Sequence, residues 1–530
     1  MARNLQYFTV SDFTGGLNLR ADAFQLRSHE SPDMLNVDLD PRGGFAQRDG
    51  TSLLNSTVLG SVPANIWAFS TTAGTHQVLV QQGNDAAYST GGNFTAINPD
   101  ALTLTGTMRA ATLKDVNYIQ RNAEQVAWRW SGSAATVLGV TFNDNIAAPN
   151  QGDMPQAKCI TAWRDYMWVA NTKESGTAYP SRVRFSHPNQ PEDWHSLHYF
   201  DVAWGQDGDE ITALVPHGDA LVVFKRNSIH VITGYDAETF SVNEVTRVAG
   251  TISQESVAAT DYGIYFFHWP HGVYLYTPDG RVKWVFERLH PAIEGGDIPA
   301  TYQTKISLAW LRRRLWVSVP WEASTTPARV FVLDPSLGDR RKTEGGWVAF
   351  DLPLGPMLEW KVPGVACVEL GCSPTVGRVL KLHQNLGTDD LGAGAVDIAS
   401  TYTTRWFDDN KPAVVKRFKR PEIILDNDVL CRLQLDVWRD YDPAEVKRTA
   451  FITTDPVTGV LVWDDGSHAA NMKWDDNVWA AEGEEGQTIQ RVGILGRARA
   501  VRLRFTKDTA SVRWSVNAIT FKYIPRRVRS

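Results

Sequence analysis

The sequence predicts an all-β protein with an N-terminal extended arm, a β-propeller of about seven blades and a C-terminal β-sandwich. Three observations support this prediction. Short apolar strands recur at a regular spacing along residues 62–395, helix signals are scarce, and separated strands of alternating apolar and polar residues follow residue 396. The 41 Gly and 20 Trp among 530 residues suit a chain with many turns and with aromatic side chains in its cores.

The composition narrows the functional class. With 43% hydrophobic residues, the chain can form more than one domain. A net charge of −6 argues against a dedicated nucleic-acid coat, which would be basic. No apolar run approaches the roughly 18 residues of a membrane helix, and the N-terminus lacks a signal-peptide pattern. Four cysteines are too few for a disulfide scaffold, so we expect reduced and mostly buried thiols.

Residues 1–61 are interpreted as a docking arm. The stretch from Phe13 to Gly50 contains two Gly-Gly pairs, two prolines and isolated apolar anchors. A short helix is expected from Ser31, as N-cap, to about Leu39, with Pro32 at its first position. Because the stretch is irregular but rich in apolar anchors, we expect it to lie along a larger body. That body is either a neighbouring subunit or the propeller of the same chain.

Residues 62–395 are interpreted as the propeller. A unit of apolar strand, polar turn and apolar strand begins near residues 66, 111, 160, 212, 257, 306 and 365, a spacing of roughly 45–60 residues. One four-stranded blade takes about 40–50 residues. The alternative is two or three stacked β-sandwiches.

Residues 396–530 are interpreted as the β-sandwich, after a linker running from about Gly387 to Ala395. Strands are predicted from Ile398 to Phe407 and in the ranges 414–425, 429–438, 500–505 and 512–523. Between them, Trp463-Asp464-Asp465 and Trp474-Asp475-Asp476 form a small repeat. We interpret these carboxylates as turn residues, with a Ca²⁺ site as the alternative.

The sequence carries no recognisable catalytic motif. The nucleophile elbow G-x-S-x-G, the zinc motif H-E-x-x-H, the phosphate-binding P-loop and the sialidase-type Asp box are all absent. We therefore expect no enzyme activity and no catalytic, cofactor-binding or metal-binding residues. Two carboxylates that converge from distant blades, as in a glycosidase, remain the alternative.

Two basic clusters are candidate contacts to DNA or to a neighbouring subunit. Arg417, Lys419 and Arg420 belong to the first, and Arg502 and Arg504 lie on one face of a strand in the second. Such side chains contact phosphates by charge alone. The alternatives are edge-strand charges that block wrong pairing, and salt bridges between subunits.

The arm also carries a resemblance, over about forty residues. The segments GGLNLR and ESPDMLNVDLDPRGGFAQRDG resemble the N-terminal signature of bacteriophage tail proteins built on a β-propeller. These are the nozzle (tail tubular) proteins of short-tailed phages and the propeller-bearing minor tail proteins of long-tailed phages. The matching positions, which the resemblance assigns to an assembly arm, include Gly15, Gly16, Asn18, Arg20, Glu30, Asn36, Gly43, Gly44, Arg48 and Gly50.

This resemblance implies a structural virion protein in the phage tail, made in the host cytoplasm. A nozzle-like protein would form a ring or cap, with a hexamer expected, that extends the DNA conduit. Its partners would be its own copies, the adjacent connector or adaptor and tail proteins, and transiently the passing double-stranded DNA. The alternative is a tail-tip minor protein whose propeller binds or cleaves a host glycan.

Overall fold

The computed structural model describes residues 5–22, 24–99, 106–144, 152–203, 205–206, 208–337, 345–426, 430–454, 487–491 and 496–525. These residues confirm the all-β class. Among them, helical structure is confined to one α-helix, α1 (Pro291–Glu294), and three 3-10 helices, at Gln254–Ser256, Glu287–Leu289 and Ala300–Lys305.

The arm forms short strands that add to sheets elsewhere in the chain. They are β1 (Gln6–Val10), β2 (Gly16–Leu17), β3 (Glu30–Ser31), β4 (Asp33–Leu35), β5 (Val37–Leu39), β6 (Phe45–Gln47) and β7 (Ser52–Leu53).

Three four-stranded antiparallel sheets follow in chain order. The first contains β8 (Pro63–Ser70), β9 (His76–Gln82), β10 (Asp85–Ser89) and β11 (Thr95–Ile97). The second contains β12 (Met108–Leu113), β13 (Val116–Arg121), β14 (Gln125–Trp130) and β15 (Ala135–Val137). The third contains β16 (Gln156–Trp163), β17 (Tyr166–Glu174), β18 (Thr177–Phe185) and β19 (Tyr199–Asp201).

Three more groups of four consecutive strands continue the pattern, and β2 and β3 of the arm extend the last of them. The fourth sheet contains β20 (Ile211–His217), β21 (Ala220–Lys225), β22 (Ile229–Thr233) and β23 (Ser241–Thr246). The fifth contains β24 (Val257–Thr260), β25 (Gly263–His268), β26 (Gly272–Tyr276) and β27 (Val282–Trp284). The sixth contains β28 (Ser307–Leu311), β29 (Arg314–Pro320), β30 (Pro327–Asp334) and β31 (Gly346–Phe350).

Tight two-residue turns join the first and second strands of several sheets. Both turn residues have positive φ at Lys114-Asp115 (52° and 61°), Arg164-Asp165 (51° and 61°) and Arg312-Arg313 (48° and 61°). A turn with two left-handed residues matches the twist of the flanking strands. These polar dipeptides therefore set the pairing of the apolar strands on either side, as in Leu113 opposite Val116.

The seventh sheet takes its outer strand from the arm. Strands β32 (Met357–Trp360), β33 (Val368–Cys372) and β34 (Val379–Lys381) are completed by β7, with Leu53 opposite Leu380. The first strands of neighbouring sheets contact one another in chain order, from β8 to β12 and on to β32, and β32 in turn contacts β8. The described first strands therefore close into a ring.

The C-terminal residues form two larger sheets that also include arm strands. The five-stranded sheet runs β4-β37-β44-β40-β41, and the eight-stranded sheet contains β42, β39, β45, β38 and β43 with β1, β5 and β6. A hairpin of β35 and β36 precedes them. The strands are β35 (Thr388–Asp390), β36 (Ala395–Asp397), β37 (Thr401–Thr403), β38 (Lys416–Phe418), β39 (Glu422–Asp426), β40 (Cys431–Arg439), β41 (Arg448–Thr454), β42 (Gln487–Arg491), β43 (Gly496–Ala498), β44 (Val501–Lys507) and β45 (Ser515–Pro525).

The largest hydrophobic core joins the arm to both halves of the chain. It includes Phe13, Val37 and Phe45 of the arm, buried side chains of the fifth, sixth and seventh sheets, and both C-terminal sheets. The Phe45 ring stacks on Tyr402 of the five-stranded sheet at 3.9 Å and meets Trp514 edge-on at 5.8 Å. The arm is thus a core element where the ring of sheets meets the C-terminal sheets.

Two local predictions were wrong. The expected helix from Ser31 to Leu39 is instead β4 and β5 with the end of β3, because β4 pairs with β37 and the Ser31 hydroxyl donates to the Thr403 carbonyl at 2.7 Å. The expected linker after Gly387 contains the β35–β36 hairpin, and Asp389 in it bridges to Thr51. In both places long-range strand pairing overrides the local turn and cap signals.

The cysteine prediction is confirmed. All four cysteines are free thiols, and Cys159, Cys372 and Cys431 are buried while Cys367 is exposed. Burial raises the pKa of the Cys159 thiol to about 11, which keeps that thiol protonated at neutral pH.

Candidate assembly site

The first part of the arm lies against the sixth sheet. Gly16, with a φ of +69°, pairs in parallel with Trp347, and a Cβ atom there would lie 2.4 Å from the Trp347 carbonyl oxygen. Only glycine fits this left-handed position so close to another backbone. Gly15 donates its N–H to the carbonyl of His29 at 3.0 Å, which holds the two sides of the arm together.

Asn18 organises the turn that follows. Its side-chain oxygen accepts the N–H groups of Arg20 and Ala21, at 3.1 and 3.0 Å, and its amide donates to the Glu30 carboxylate at 3.2 Å. Glu30 is 3% exposed and pairs with Arg288 at 3.1 Å. Arg20, by contrast, pairs with Glu287 on the surface, where both side chains are more than half exposed.

Asn36 joins the two halves of the molecule. This buried residue has a φ of +55°. Its N–H donates to Ala349 of the sixth sheet at 2.8 Å, and its side-chain amide donates to Ala399, just before β37, at 2.7 Å. Its side-chain oxygen accepts from the Asp351 N–H and the Arg48 guanidinium, at 2.8 and 2.9 Å. One side chain therefore fixes the relative position of both halves.

Arg48 completes this junction through a buried ion pair. Its guanidinium donates to both carboxylate oxygens of Asp389, at 3.0 and 2.5 Å, and the Arg48 side chain is 3% exposed. A bidentate pair of this kind is strong and directional, but either partner alone would be a buried and uncompensated charge. The arm is thereby locked to the hairpin that leads into the C-terminal sheets.

The remaining glycines of the predicted set lie at close backbone contacts. Gly43 and Gly44 form a turn in which Asp40 donates its N–H to the Gly44 carbonyl at 2.9 Å, and Gly43 accepts from the Phe13 N–H at 2.8 Å. Gly50 donates to Leu386 at 2.9 Å, and a Cβ atom on Gly50 would lie 1.9 Å from the Thr388 carbonyl oxygen. The structure thus brings the predicted arm residues together as intrachain contacts.

The predicted basic residues do not form one cluster. Arg504 is paired with Asp33 at 3.1 Å, and the Arg502 guanidinium lies between the rings of Trp406 and Trp438, at 5.9 and 6.0 Å from their centres. Both lie on β44 of the five-stranded sheet. Arg417 and Arg420 are exposed and Lys419 is half-buried, on or just after β38 of the eight-stranded sheet.

Two like-charged residues, one from each basic segment, face each other across paired strands. The spacing of these residues in the sequence does not predict this contact. Arg417 of β38 lies directly opposite Arg497 of β43. Both side chains are exposed, and neither has an ion pair among the described residues. Like charges directly opposite on a sheet are unfavourable, so an anion beside them would be stabilised.

A buried ion pair crosses the ring of first strands. Arg109 of β12 donates to both oxygens of the Glu255 carboxylate, at 2.7 and 2.8 Å, and to the Lys158 carbonyl of β16 at 2.7 Å. Glu255 lies just before β24, in the fifth sheet. Burial raises the pKa of Glu255, but Arg109 more than offsets this and lowers it below its usual range. Residues of the second sheet, of the third sheet and of the 3-10 helix that precedes the fifth sheet therefore meet at this pair.

Several of these residues were not predicted as site residues. Asp389, Arg109 and Glu255 find partners that lie from 146 to 341 residues away. No local motif marks such pairs, and the Asp389-Asp390 dipeptide has the composition of a linker. The Trp-Asp-Asp repeats, with the carboxylates of the alternative Ca²⁺ site, lie outside the described residues.

Two further observations concern only the described residues. No group of three or more His, Cys, Asp or Glu side chains there is placed to hold a metal ion. No helix among them has the length and apolar character needed to cross a membrane.

Comparisons with known proteins give structural similarity without sequence similarity. No protein-family model matches the chain, and no curated protein matches it. BamB from Moraxella catarrhalis aligns with 66% of this chain and 94% of its own, at 8% identity and a TM-score of 0.36. The WD40 domain of Neurospora crassa Pan2 aligns with 63% and 96%, at 8% identity and a TM-score of 0.34. BBS1N, crystallised with ARL6DN, aligns with 63% and 96%, at 10% identity and a TM-score of 0.40.

Proposed function

We propose that this protein is a structural component of a bacteriophage tail, a nozzle-like subunit that forms a ring and extends the DNA conduit. The observation that carries the proposal is the junction at Asn36 and Arg48. It joins two β-rich halves through buried hydrogen bonds and an ion pair, as a ring subunit under mechanical load requires. The arm that forms it is the stretch that resembles the phage tail signature.

In this proposal the seven sheets whose first strands form the ring are the blades of a propeller. The two C-terminal sheets form a sandwich around contacts such as that of Phe407 with Phe521, at 5.0 Å. A radial arrangement buries both faces of each sheet and leaves only short edges. The strand β7 then closes the seventh blade, which is the intrachain strap that the sequence left as an alternative.

The arm also keeps a free surface for neighbouring subunits. Leu5, Tyr7 and Phe24 are 51%, 74% and 68% exposed. Strand β1, which carries Tyr7, pairs with β45 on one side and has no second partner strand among the described residues. An edge strand with exposed apolar side chains suits contact with a second copy. One face of the arm would thus contact its own chain, and the other face would contact the neighbouring subunit.

The conduit would run along the axis of the assembled ring. The Arg109–Glu255 pair occupies the interior of the propeller, so DNA would pass between subunits and not through any one of them. Arg417 and Arg497 are the side chains that suit contact with phosphates there. The connector or adaptor and neighbouring tail proteins would contact the two ends of the ring.

Electron microscopy of the purified full-length protein tests the proposal. Six-fold rings with an open axis are expected, and a protein that remains monomeric at every concentration would contradict it. Three-fold symmetry or a single copy per particle would instead favour a tail-tip protein.

A further inference from the structure

A groove lies where the first strands of three successive sheets end. Its volume is about 400 Å³, and Thr260, Asp261, Trp310, Arg313, Glu359 and Lys361 line it. These residues come from the end of β24, from β28 and its turn, and from β32 and the residue after it. Since β28 contacts both β24 and β32, the groove spans three sheets that are packed together.

The groove contains an aromatic platform, the side chain of Trp310. Trp310 is half-buried, and its ring is nearly parallel to that of Tyr265, with the ring centres 6.1 Å apart and an interplanar angle of 17°. Tyr262, which is 41% exposed, meets the Trp310 ring nearly at right angles at 5.9 Å. These contacts hold Trp310 in place from one face and one edge. An indole fixed in this way offers a flat apolar surface at little entropic cost.

Charged groups of both signs surround this platform. Asp261 and Arg313 are exposed and make no ion pair with any described residue. Lys361 donates a charged hydrogen bond to the Glu359 carboxylate at 2.9 Å. This contact raises the pKa of Lys361, and Cys367 and Asp261 add smaller contributions. The charges of the two carboxylates and the two cations cancel, so the groove favours neither an anionic nor a cationic ligand. It offers hydrogen-bond donors and acceptors around an apolar face.

We propose that this groove binds a neutral carbohydrate, with a pyranose ring stacked on Trp310 and its hydroxyls hydrogen-bonded to Asp261, Arg313 and Glu359. A sugar ring has an apolar face of C–H groups and a rim of hydroxyls that both donate and accept. The groove has the complementary arrangement. This binding function is additional to the proposed ring and does not depend on it.

Calorimetric titration of the full-length protein with maltohexaose, cellohexaose and chitohexaose tests this proposal. At least one of the three is expected to bind saturably. Trp310→Ala should weaken that binding at least about tenfold, because it removes the stacking surface. Glu359→Gln keeps the shape of the side chain and should weaken binding severalfold, because an amide is a poorer acceptor than a carboxylate.

Trp321→Ala is the matched control, since Trp321 is also half-buried and packs against the same core. It should bind the sugar as the wild type does. A fluorophore on Cys367, the exposed thiol near Lys361, provides a second readout that follows the groove directly. The proposal is overturned if none of the three sugars binds, or if Trp310→Ala and Glu359→Gln bind as tightly as the wild type.

Discussion

At the scale of single residues, Arg48 is expected to contribute strongly to stability, because its ion pair with Asp389 is buried. Arg48→Ala would leave Asp389 as a buried and uncompensated charge. We expect it to lower the free energy of unfolding by about 3–5 kcal/mol, measured by urea denaturation.

Arg20→Ala is the control for this measurement, since it removes an arginine of the same arm whose ion pair with Glu287 is more than half exposed. Its cost should stay below about 1 kcal/mol. Equal losses for the two variants would argue against Arg48 as the residue that locks the junction.

The environment of His198 is expected to make the stability of the protein depend on pH. Burial, together with the nearby His187, His195 and Arg184, lowers the pKa of His198 from 6.5 to about 4. Between these values the unfolded chain binds more protons at this residue than the folded chain, so stability falls as the pH falls from 6.5 to 4. In His198→Phe, whose ring can still stack on Phe185, the fall should be smaller.

Thermal unfolding at half-unit pH steps measures this slope. His217→Phe, a substitution at another half-buried histidine, should leave the slope as in the wild type. A wild-type slope in His198→Phe would show that other groups set the acid sensitivity.

At the scale of elements, β7 is the strand that completes the seventh sheet. The buried Asn55 side chain anchors its end, because it accepts the Val379 N–H at 2.8 Å and donates to the Gly377 carbonyl at 3.2 Å. Asn55→Ala would remove the acceptor of the Val379 N–H and should cost about 1–3 kcal/mol, although the Gly377 carbonyl still accepts the Leu59 N–H at 2.8 Å.

Limited proteolysis gives a direct readout, with faster cleavage expected around residues 54–62. Asn227→Ala, which removes an exposed asparagine from the turn between β21 and β22, is the control. Unchanged cleavage in Asn55→Ala would mean that β7 is held by its strand pairing alone.

The elements that the sequence predicted well are those whose signals are local. The repeat copies expected near residues 111, 212 and 306 correspond to β12, β20 and β28, since apolar strands and polar turns lie next to each other in the chain. The junction at Asn36 could not be predicted in this way. Its partners Ala349 and Ala399 are more than 300 residues away, and no spacing rule connects them.

At the scale of the whole molecule, the exposed face of β1 predicts how copies associate. Tyr7→Asp places a charge on this face and should shift the proposed ring towards monomer, because burying an unpaired carboxylate in an interface is costly. Sedimentation velocity measures the shift.

Tyr235→Asp is the matched control, because Tyr235 is equally exposed, at 74%, but lies between β22 and β23 of the fourth sheet. Rings that survive Tyr7→Asp would place the subunit contact elsewhere on the molecule.

The pairing of β1 with β45 has a consequence for synthesis. Gln6 pairs with Tyr523, and Leu53 pairs with Leu380, so the residues that leave the ribosome first find their partners last. At about 5–20 residues per second, the arm leaves the ribosome tens of seconds before β45 is synthesised. Its apolar anchors are exposed during that time and invite capture by chaperones or by other nascent chains. Completion of the chain is therefore the event that withdraws these anchors from solvent, and in the proposed ring it must precede the association of subunits.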